Sequence, residues 1–583
     1  STFAKGLAWT VLVNLINKAV FPLISIIISR LLGPGPLGAF AVLSTIMAIS
    51  EIFRDAGLTQ TYLADQEVDD RKIRSYTALA VVMALVPAFL LFVSRGWLAE
   101  ALDLPELRTG LLVACLALVF NGFATMPRAQ LLRETKIKEL AIIDLISGGT
   151  GIILTIVLVL MGFAFWSLVI QLGYCSLLTL WLSHRVAPIR PMLLEGREVG
   201  SCFRRTGALL AANALNNLFL MSDVFVIRKL LESNVLLGLF GQGKNIAYKP
   251  ADFVTFPLSR MLIVAFSQSA SDHAKLCRVY AKSLTATLLF VTPVYLLLIF
   301  ASEPIIALLL GPKFAGSAAV LSVMSVFLAM RTIGTIAGTA LVSYGKAKLT
   351  LVAQIAGILV TVGVLGSQLG AIAMPRYSSI AEFAAARQVE LGAERYEVNP
   401  EVATYPDERS GKRESAQKVR YTLPSGRVLS EYVATVSGRA EPLEDGVRTK
   451  GFAPTPSKED WAAATVDNAS YVAPQGMARL LRIVWSFTFG AIALYGLCFL
   501  MAIAHFPPPV EDRRKIFTAL ALCAMTGSLI ALTDRIPGIG LWKLAIMLVL
   551  LPLFHVAAIG MSLERKPLAY LSVAGVKRLF GSL

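Results

Sequence analysis

Histidine and cysteine are scarce in this chain of 583 residues, four and six in number. The histidines (His184, His273, His505, His555) are scattered over loops and helix ends, which does not build a metal site. The cysteines (Cys115, Cys175, Cys202, Cys277, Cys498, Cys523) lie in or beside hydrophobic stretches without CxxC spacing. They read as small apolar packing residues, not as a disulfide frame or a zinc site. A Walker loop is missing too, so ATP does not drive any process within this chain. Charged residues make up only 16% of the sequence, too few for a soluble globular surface. Enzyme chemistry therefore has little to work with here.

Apolar residues fill 56% of the chain, in blocks long enough to cross a bilayer. Spans are expected near 7–31, 36–57, 75–94, 109–126, 140–162, 164–183, 206–230, 236–268, 281–301, 315–341 and 349–369. Three more follow a polar interruption, near 480–504, 516–533 and 541–563. The first apolar segment is too long for a cleavable signal and lacks a small-residue cleavage site, so it is expected to stay as a span. The expectation is an all-α polytopic membrane protein of about fourteen helices.

The formal net charge of +16 needs no nucleic acid to explain it. Basic residues cluster in alternate loops: Arg71, Lys72 and Arg74; Arg128, Arg133, Lys136 and Lys138; Arg185, Arg190, Arg197, Arg204 and Arg205; Lys275, Arg278 and Lys282; Lys346 and Lys348. The intervening loops, such as Gly33–Pro36, are short and nearly uncharged. Basic loops stay in the cytoplasm beside anionic lipid, which places both termini there.

An internal repeat organises the spans. Residues 14–32 read NLINKAVFPLISIIISRLL, and 213–231 read NALNNLFLMSDVFVIRKLL. Without a gap, Asn14 meets Asn213, Asn17 meets Asn216, Lys18 meets Asn217 and Arg30 meets Lys229. Leu37-Gly38-Ala39-Phe40 then parallels Leu237-Gly238-Leu239-Phe240, and Thr135-Lys136-Ile137-Lys138 parallels Gly345-Lys346-Ala347-Lys348. The amides at i, i+3 and i+4 form one helical face. Amides and an ammonium inside a membrane face either a water-filled cavity or a neighbouring helix that they help to hold. The first alternative implies two half-domains around one polar cavity, the usual plan of a transporter.

Residues 371–478 break the pattern with polar, Pro-, Gly- and Ser-punctuated sequence that contains neither Cys nor His. Ile380–Glu394 has the pattern of an amphipathic helix, and Val419–Leu423 with Val428–Val436 flank Pro424-Ser425-Gly426 as a short hairpin. The span count puts this insert in the periplasm, partly ordered. The expected organisation is an N-terminal lobe over 1–200 and a C-terminal lobe over 201–370. The insert over 371–478, three helices over 479–563 and a basic cytoplasmic tail over 564–583 complete it.

Several short strings, in order, carry a resemblance. Leu31-Leu32-Gly33-Pro34 comes first, followed by Gly38-Ala39-Phe40 and Arg54-Asp55-Ala56-Gly57-Leu58. Met126-Pro127-Arg128-Ala129-Gln130-Leu131-Leu132-Arg133 and Gly162-Phe163-Ala164-Phe165-Trp166-Ser167-Leu168-Val169 come next. Ser222-Asp223 with Val226-Ile227-Arg228, Phe256-Pro257-Leu258-Ser259-Arg260 and Leu310-Gly311-Pro312-Lys313-Phe314-Ala315-Gly316 complete the series. Over roughly residues 1–365 the chain resembles the Wzx-type polysaccharide flippases of the multidrug/oligosaccharidyl-lipid/polysaccharide exporter superfamily. The resemblance implies two six-helix lobes around a central cavity, two further C-terminal helices and a bacterial inner-membrane location. It implies movement of undecaprenyl-pyrophosphate-linked oligosaccharide repeat units across that membrane for exopolysaccharide, capsule or O-antigen synthesis. The twelfth family helix normally follows the eleventh at once, whereas here Leu369-Gly370-Ala371-Ile372-Ala373 gives way to the insert.

Such a cargo is anionic at its phosphates and polar along its sugars, so cations and amides within the spans are the candidate binding groups. These are Lys18 with Asn14 and Asn17, their repeat partners Asn213, Asn216 and Asn217, and the set Lys244, Tyr248, Lys249 and Arg260 beside Pro250 and Pro257. Arg331, isolated mid-span, joins them. Lys18 is alternatively a structural partner of Asp144 or Asp223, and Arg260 alternatively snorkels to the interface. Arg54 and Asp55 are a candidate gate pair or an interfacial ion pair, and Asp223 is the candidate for coupling to H+ or Na+. No metal site and no cofactor is expected. The expected partners are the lipid-linked oligosaccharide, membrane lipid, and a polysaccharide polymerase and export proteins. A cation-coupled multidrug exporter of the same superfamily is the rival transporter reading, disfavoured by the positive interior. A non-transporting scaffold in a polysaccharide assembly complex is the rival of a different class.

Overall fold

A computed structural model describes residues 21–55, 58–64, 70–188, 217–231, 233–251, 272–372, four strands within 395–442, and 474–509, with a few single positions between. Contacts divide the chain into two compact units, Ser1–Gly238 with Met374–Pro474, and Leu239–Ala373 with Gln475–Leu583. Nine helices among the described residues are long and apolar enough to cross a membrane. They coincide with the second to sixth and ninth to twelfth expected spans. The first, seventh and eighth spans are described in part, and the last two, with the tail, lie outside the described residues apart from Ile516.

In the first unit, α1 (Phe21–Leu32), α2 (Pro34–Asp55), the short α3 (Leu58–Ala64), α4 (Asp70–Ala101), α5 (Pro105–Arg133), α6 (Ile137–Leu160) and α7 (Ala164–Val186) follow one another through tight turns. Residues 217–231 form α8. No water is at hand inside a bilayer, so a hydroxyl on these helices is best satisfied by a partner in the protein. Ser50 and Thr155 donate to the carbonyls one turn back, Ile46 and Gly151, at 2.8 and 2.9 Å. Cys115 and Cys175 are free thiols facing the carbonyls of Ala88 and Ser147, in keeping with their reading as packing residues.

Charged side chains tie the unit together at its helix ends. Arg128 on α5 makes a two-pronged ion pair with Asp144 on α6, at 2.8 and 3.2 Å. Arg133 donates to the Tyr62 carbonyl at 2.9 Å and stacks over its ring, which anchors α3. Burial pushes the Tyr62 phenol above its ordinary pKa, against the pull of Arg133. The buried Arg228 donates to the carbonyls of Leu102 and Asp103, and Lys229 to that of Ala101. These basic ends of α8 satisfy the last carbonyl of α4 and the carbonyls of the turn after it, which have no partners within the helix.

The second unit contains most of α9 (Asn234–Pro250), then α10 (His273–Phe290), α11 (Thr292–Phe300), α12 (Ser302–Leu309), α13 (Ser317–Ser343), α14 (Ala347–Ser367) and the short α15 (Leu369–Ile372). After the insert comes α16 (Pro474–His505). Gly334 on α13 leaves room for Tyr495, since a Cβ there would stand 2.7 Å from the Tyr495 Cα. Gly357 on α14 leaves room for Gly490, whose carbonyl would lie 2.8 Å from an added Cβ. Small residues let backbones approach where lipid supplies no hydrophobic drive. The helix after the insert thus packs into the second unit as its twelfth span. The insert interrupts the lobe without ending it.

Turn geometry carries the repeat further than residue identity. Thr135 and Gly345, paired in the sequence echo, both have left-handed backbones, with φ of 55° and 79°. Lys136 N–H reaches the Leu131 carbonyl at 2.9 Å, and Lys346 N–H reaches that of Leu341 at 2.8 Å. Both close the helix with the same six-to-one bond. Asp103 before α5 and Gly311 ahead of α13 share only a positive φ, at 56° and 81°, since Gly311 is extended in ψ.

Within the insert, β1 (Arg395–Pro406), β2 (Arg413–Thr422), β3 (Val428–Val436) and β4 (Arg439–Pro442) form an antiparallel meander in sequence order. The expected hairpin is its central pair, with Thr422 opposite Val428. Val419 is buried while its neighbour Arg420 is exposed, the alternation a one-sided sheet requires. The strands β1 and β4 extend the expected hairpin to a four-stranded sheet. Of the expected amphipathic helix, Ala381, Ala384, Ala385 and Gln388 are described, and all are helical.

Candidate functional site

Arg331 lies near the middle of α13, where a guanidinium is costly unless protein groups receive it. Its Nη1 donates to the Tyr248 hydroxyl on α9 at 3.0 Å. The guanidinium carbon also sits 5.4 Å from the centre of the Tyr248 ring, which places the cation over the aromatic face. Tyr495 on α16 and the fully buried Tyr295 on α11 lie within electrostatic reach of the guanidinium. Phenol hydroxyls accept from the guanidinium without cancelling its charge. The side chain is half-buried, not sealed off.

Tyr248 belongs to the set expected on α9. Lys244, one turn earlier, lies with its ammonium 5.4 Å from the Phe240 ring centre, and Lys244, Tyr248 and Lys249 are all half-buried. Pro250 closes α9; Arg260 and Pro257 beyond it lie outside the described residues. The structure thus brings Arg331 and Tyr248 together with Lys244 and Lys249 on the same helix as Tyr248. Tyr495 and Tyr295 are the residues that sequence reading missed. For Tyr495 the only signal is a lone phenol in an otherwise apolar run beside Gly490 and Gly496.

In the first unit, Arg54 reaches across to α5, donating to the Thr125 hydroxyl at 2.7 Å and the Asn121 carbonyl at 3.4 Å. The Asn121 amide in turn donates to Glu51 at 3.5 Å. Asp55 is the last residue of α2. Asp223 on α8 is 6% exposed and accepts from the Val224 N–H at 2.8 Å. Asn217 opens the described part of α8, half-buried. Asn14, Asn17, Lys18, Asn213 and Asn216 lie outside the described residues. Asp144, one of the partners considered for Lys18, is the partner of Arg128.

Comparison with known proteins identifies the family. The sequence profile of a family described as polysaccharide biosynthesis protein matches residues 27–319. The chain is 24% identical over 325 residues to the succinoglycan biosynthesis transport protein ExoT of Rhizobium meliloti, covering 56% of this chain and 66% of that one. It is 22% identical over 349 residues to the lipopolysaccharide biosynthesis protein WzxC of Escherichia coli, covering 59% of this chain and 70% of that one. Among solved structures, the lipid II flippase MurJ in an inward closed conformation superposes with a TM-score of 0.60. That match has 13% identity and covers 94% of this chain and 98% of MurJ, and so speaks for the fold alone. It shows that the chain shares the fold of that structure, in a multi-pass membrane protein. With a matched profile spanning half its length, the chain belongs to the polysaccharide biosynthesis protein family, as a Wzx-type member of it.

Proposed function

We propose that this protein flips undecaprenyl-pyrophosphate-linked oligosaccharide repeat units from the cytoplasmic to the periplasmic leaflet of a bacterial inner membrane. It works by alternating access between its two lobes, without a cofactor and without enzymatic turnover. The observation that carries the reading is Arg331, a partly accessible cation mid-span whose surroundings are phenols. A pyrophosphate needs charge-assisted donors, and sugars need hydroxyls and ring faces. Lys244, Tyr248 and Lys249 extend that surface along α9. Lys18, Asn14, Asn17, Asn213, Asn216, Asn217 and Arg260 complete it in this proposal.

The names of the relatives, transport and biosynthesis proteins for succinoglycan and lipopolysaccharide, support the substrate class. The basic loops support cytoplasmic termini and a periplasmic insert over 371–478. Asp223, nearly buried within α8, is the proposed H+ or Na+ coupling group, and Arg54 with Asp55 the proposed cytoplasmic gate. A polysaccharide polymerase and export proteins are the proposed partners that take the cargo onward. Reconstitution tests the proposal: wild-type protein transfers the lipid-linked oligosaccharide between leaflets, and Arg331→Gln, a neutral side chain of similar reach, does not.

A further inference from the structure

Glu51 on α2 is a carboxylate inside the span Pro34–Arg54 and has no part in the Arg331 site. An ionisable group within a span is costly unless it is paired or faces a space that holds water or a ligand. Glu51 is half-buried, and its one partner among the described residues is the neutral Asn121 amide of α5, at 3.5 Å. That distance is the outer limit of a hydrogen bond, so the contact adds little to holding α2 against α5. The firm link there is Arg54, one turn along the same face of α2, whose Nη1 donates to the Thr125 hydroxyl at 2.7 Å. The Asn121 carbonyl accepts from both Arg54 and Thr125. Among the described residues no carboxylate lies within ion-pair distance of Arg54, and its Nε has no partner. An anion and a cation thus stand one turn apart, each received by neutral groups of α5 and neither neutralising the other.

We propose that Glu51, Arg54 and Asn121 form a subsite for sugar hydroxyls. The mixed charge selects the ligand class. A cation on Glu51 meets the uncompensated charge of Arg54, and a phosphate on Arg54 meets that of Glu51. A neutral polyol meets neither repulsion. Each of its hydroxyls is donor and acceptor at once, so neighbouring hydroxyls donate to the carboxylate and accept from the guanidinium and the amide. This rests on the proposed function, in which the cargo carries an oligosaccharide, and adds to it the groups that read the sugar. Glu51 is the specificity-determining residue of the subsite: a ligand without hydroxyls leaves its acceptors unpaired.

The test is binding of two lipids to the intact protein in detergent. One is undecaprenyl-pyrophosphate-linked oligosaccharide isolated from the native host membrane, and the other is undecaprenyl pyrophosphate without sugar. The wild type is expected to bind the first more tightly. Glu51→Gln keeps the shape of the side chain and removes its charge. It is expected to weaken binding of the glycosylated lipid about tenfold, the scale of one hydrogen bond to a charged group, and to leave the bare lipid unchanged. Asn121→Ala keeps the main-chain carbonyl that Arg54 and Thr125 use, and is expected to act in the same direction. Wild-type affinity of Glu51→Gln for the glycosylated lipid overturns the inference. So does an equal loss for both lipids, which a structural or an ion-coupling carboxylate would give. Equal affinity of the wild type for the two lipids overturns the sugar subsite and leaves the headgroup reading standing, whereas binding of neither lipid removes both.

Discussion

Replacing Gly334 by alanine asks whether α16 is seated where the site requires it. The added Cβ would stand 2.6 Å from the Tyr495 Cδ1 and 2.7 Å from its Cα. Carbon atoms rest at about 3.5–4.0 Å, so relief needs a shift of about 1 Å. The obstacle includes backbone, so a rotamer change in one side chain does not provide it. Overpacking of this kind costs about 1–3 kcal/mol. The same shift would move the Tyr495 ring relative to Arg331. Gly363 on α14 is the matched control, since an added Cβ there meets nothing within 4 Å. In a helix interior that change gains about 0.8–1.0 kcal/mol of intrinsic propensity. Melting in detergent, followed by tryptophan fluorescence, should therefore fall for Gly334→Ala and hold or rise for Gly363→Ala. Headgroup binding should weaken only in the first. Equal melting in the two variants would refute the close seating of α16, and with it the route by which Tyr495 reaches the site.

Two further predictions concern the first unit and its repeat. Thr135 carries a β-branched side chain at φ 55°, where its counterpart is glycine. A left-handed backbone costs an L-residue about 1–2 kcal/mol. Glycine removes that cost but gives back part of it in chain entropy, so Thr135→Gly should stabilise by about 0.5–1 kcal/mol. Gly345→Thr should destabilise by about 1 kcal/mol or more, and apparent melting temperatures of the pair check the opposite signs. Arg228→Gln withdraws a buried cation from the end of α4, leaving the carbonyls of Leu102 and Asp103 without their donors. Its cost is about 1–3 kcal/mol per unsatisfied group, and protease cleavage in the α4–α5 turn should become faster.

The spans were legible because lipid imposes one requirement, a long apolar helix, that composition alone reveals. The repeat was legible in the Thr135/Gly345 echo, but the shared left-handed turn was not. Threonine gives no hint of that conformation, which only the closing hydrogen bonds disclose. Arg331 stood out as a lone mid-span charge, and Tyr248 as the residue one turn after Lys244 beside a proline. Tyr495 was hidden because 164 residues separate it from Arg331 and hydropathy treats its helix as any other. The fit of α16 depends on where glycines fall on two other helices, a relation between faces that no local pattern encodes. The hairpin of the insert was legible from its turn residues. The strands β1 and β4 were not, since their polar, proline-interrupted sequences carry no clear alternation.

The most direct measurement of the central claim is leaflet transfer in vesicles. A fluorescent undecaprenyl-pyrophosphate oligosaccharide is placed in both leaflets, and a membrane-impermeant quencher is added outside. If the protein is the flippase described, vesicles carrying wild-type protein lose signal well past the outer-leaflet share, while those carrying Arg331→Gln stop at that share. Loss in wild-type vesicles no greater than in protein-free ones would contradict the account, as would transfer by Arg331→Gln at the wild-type rate.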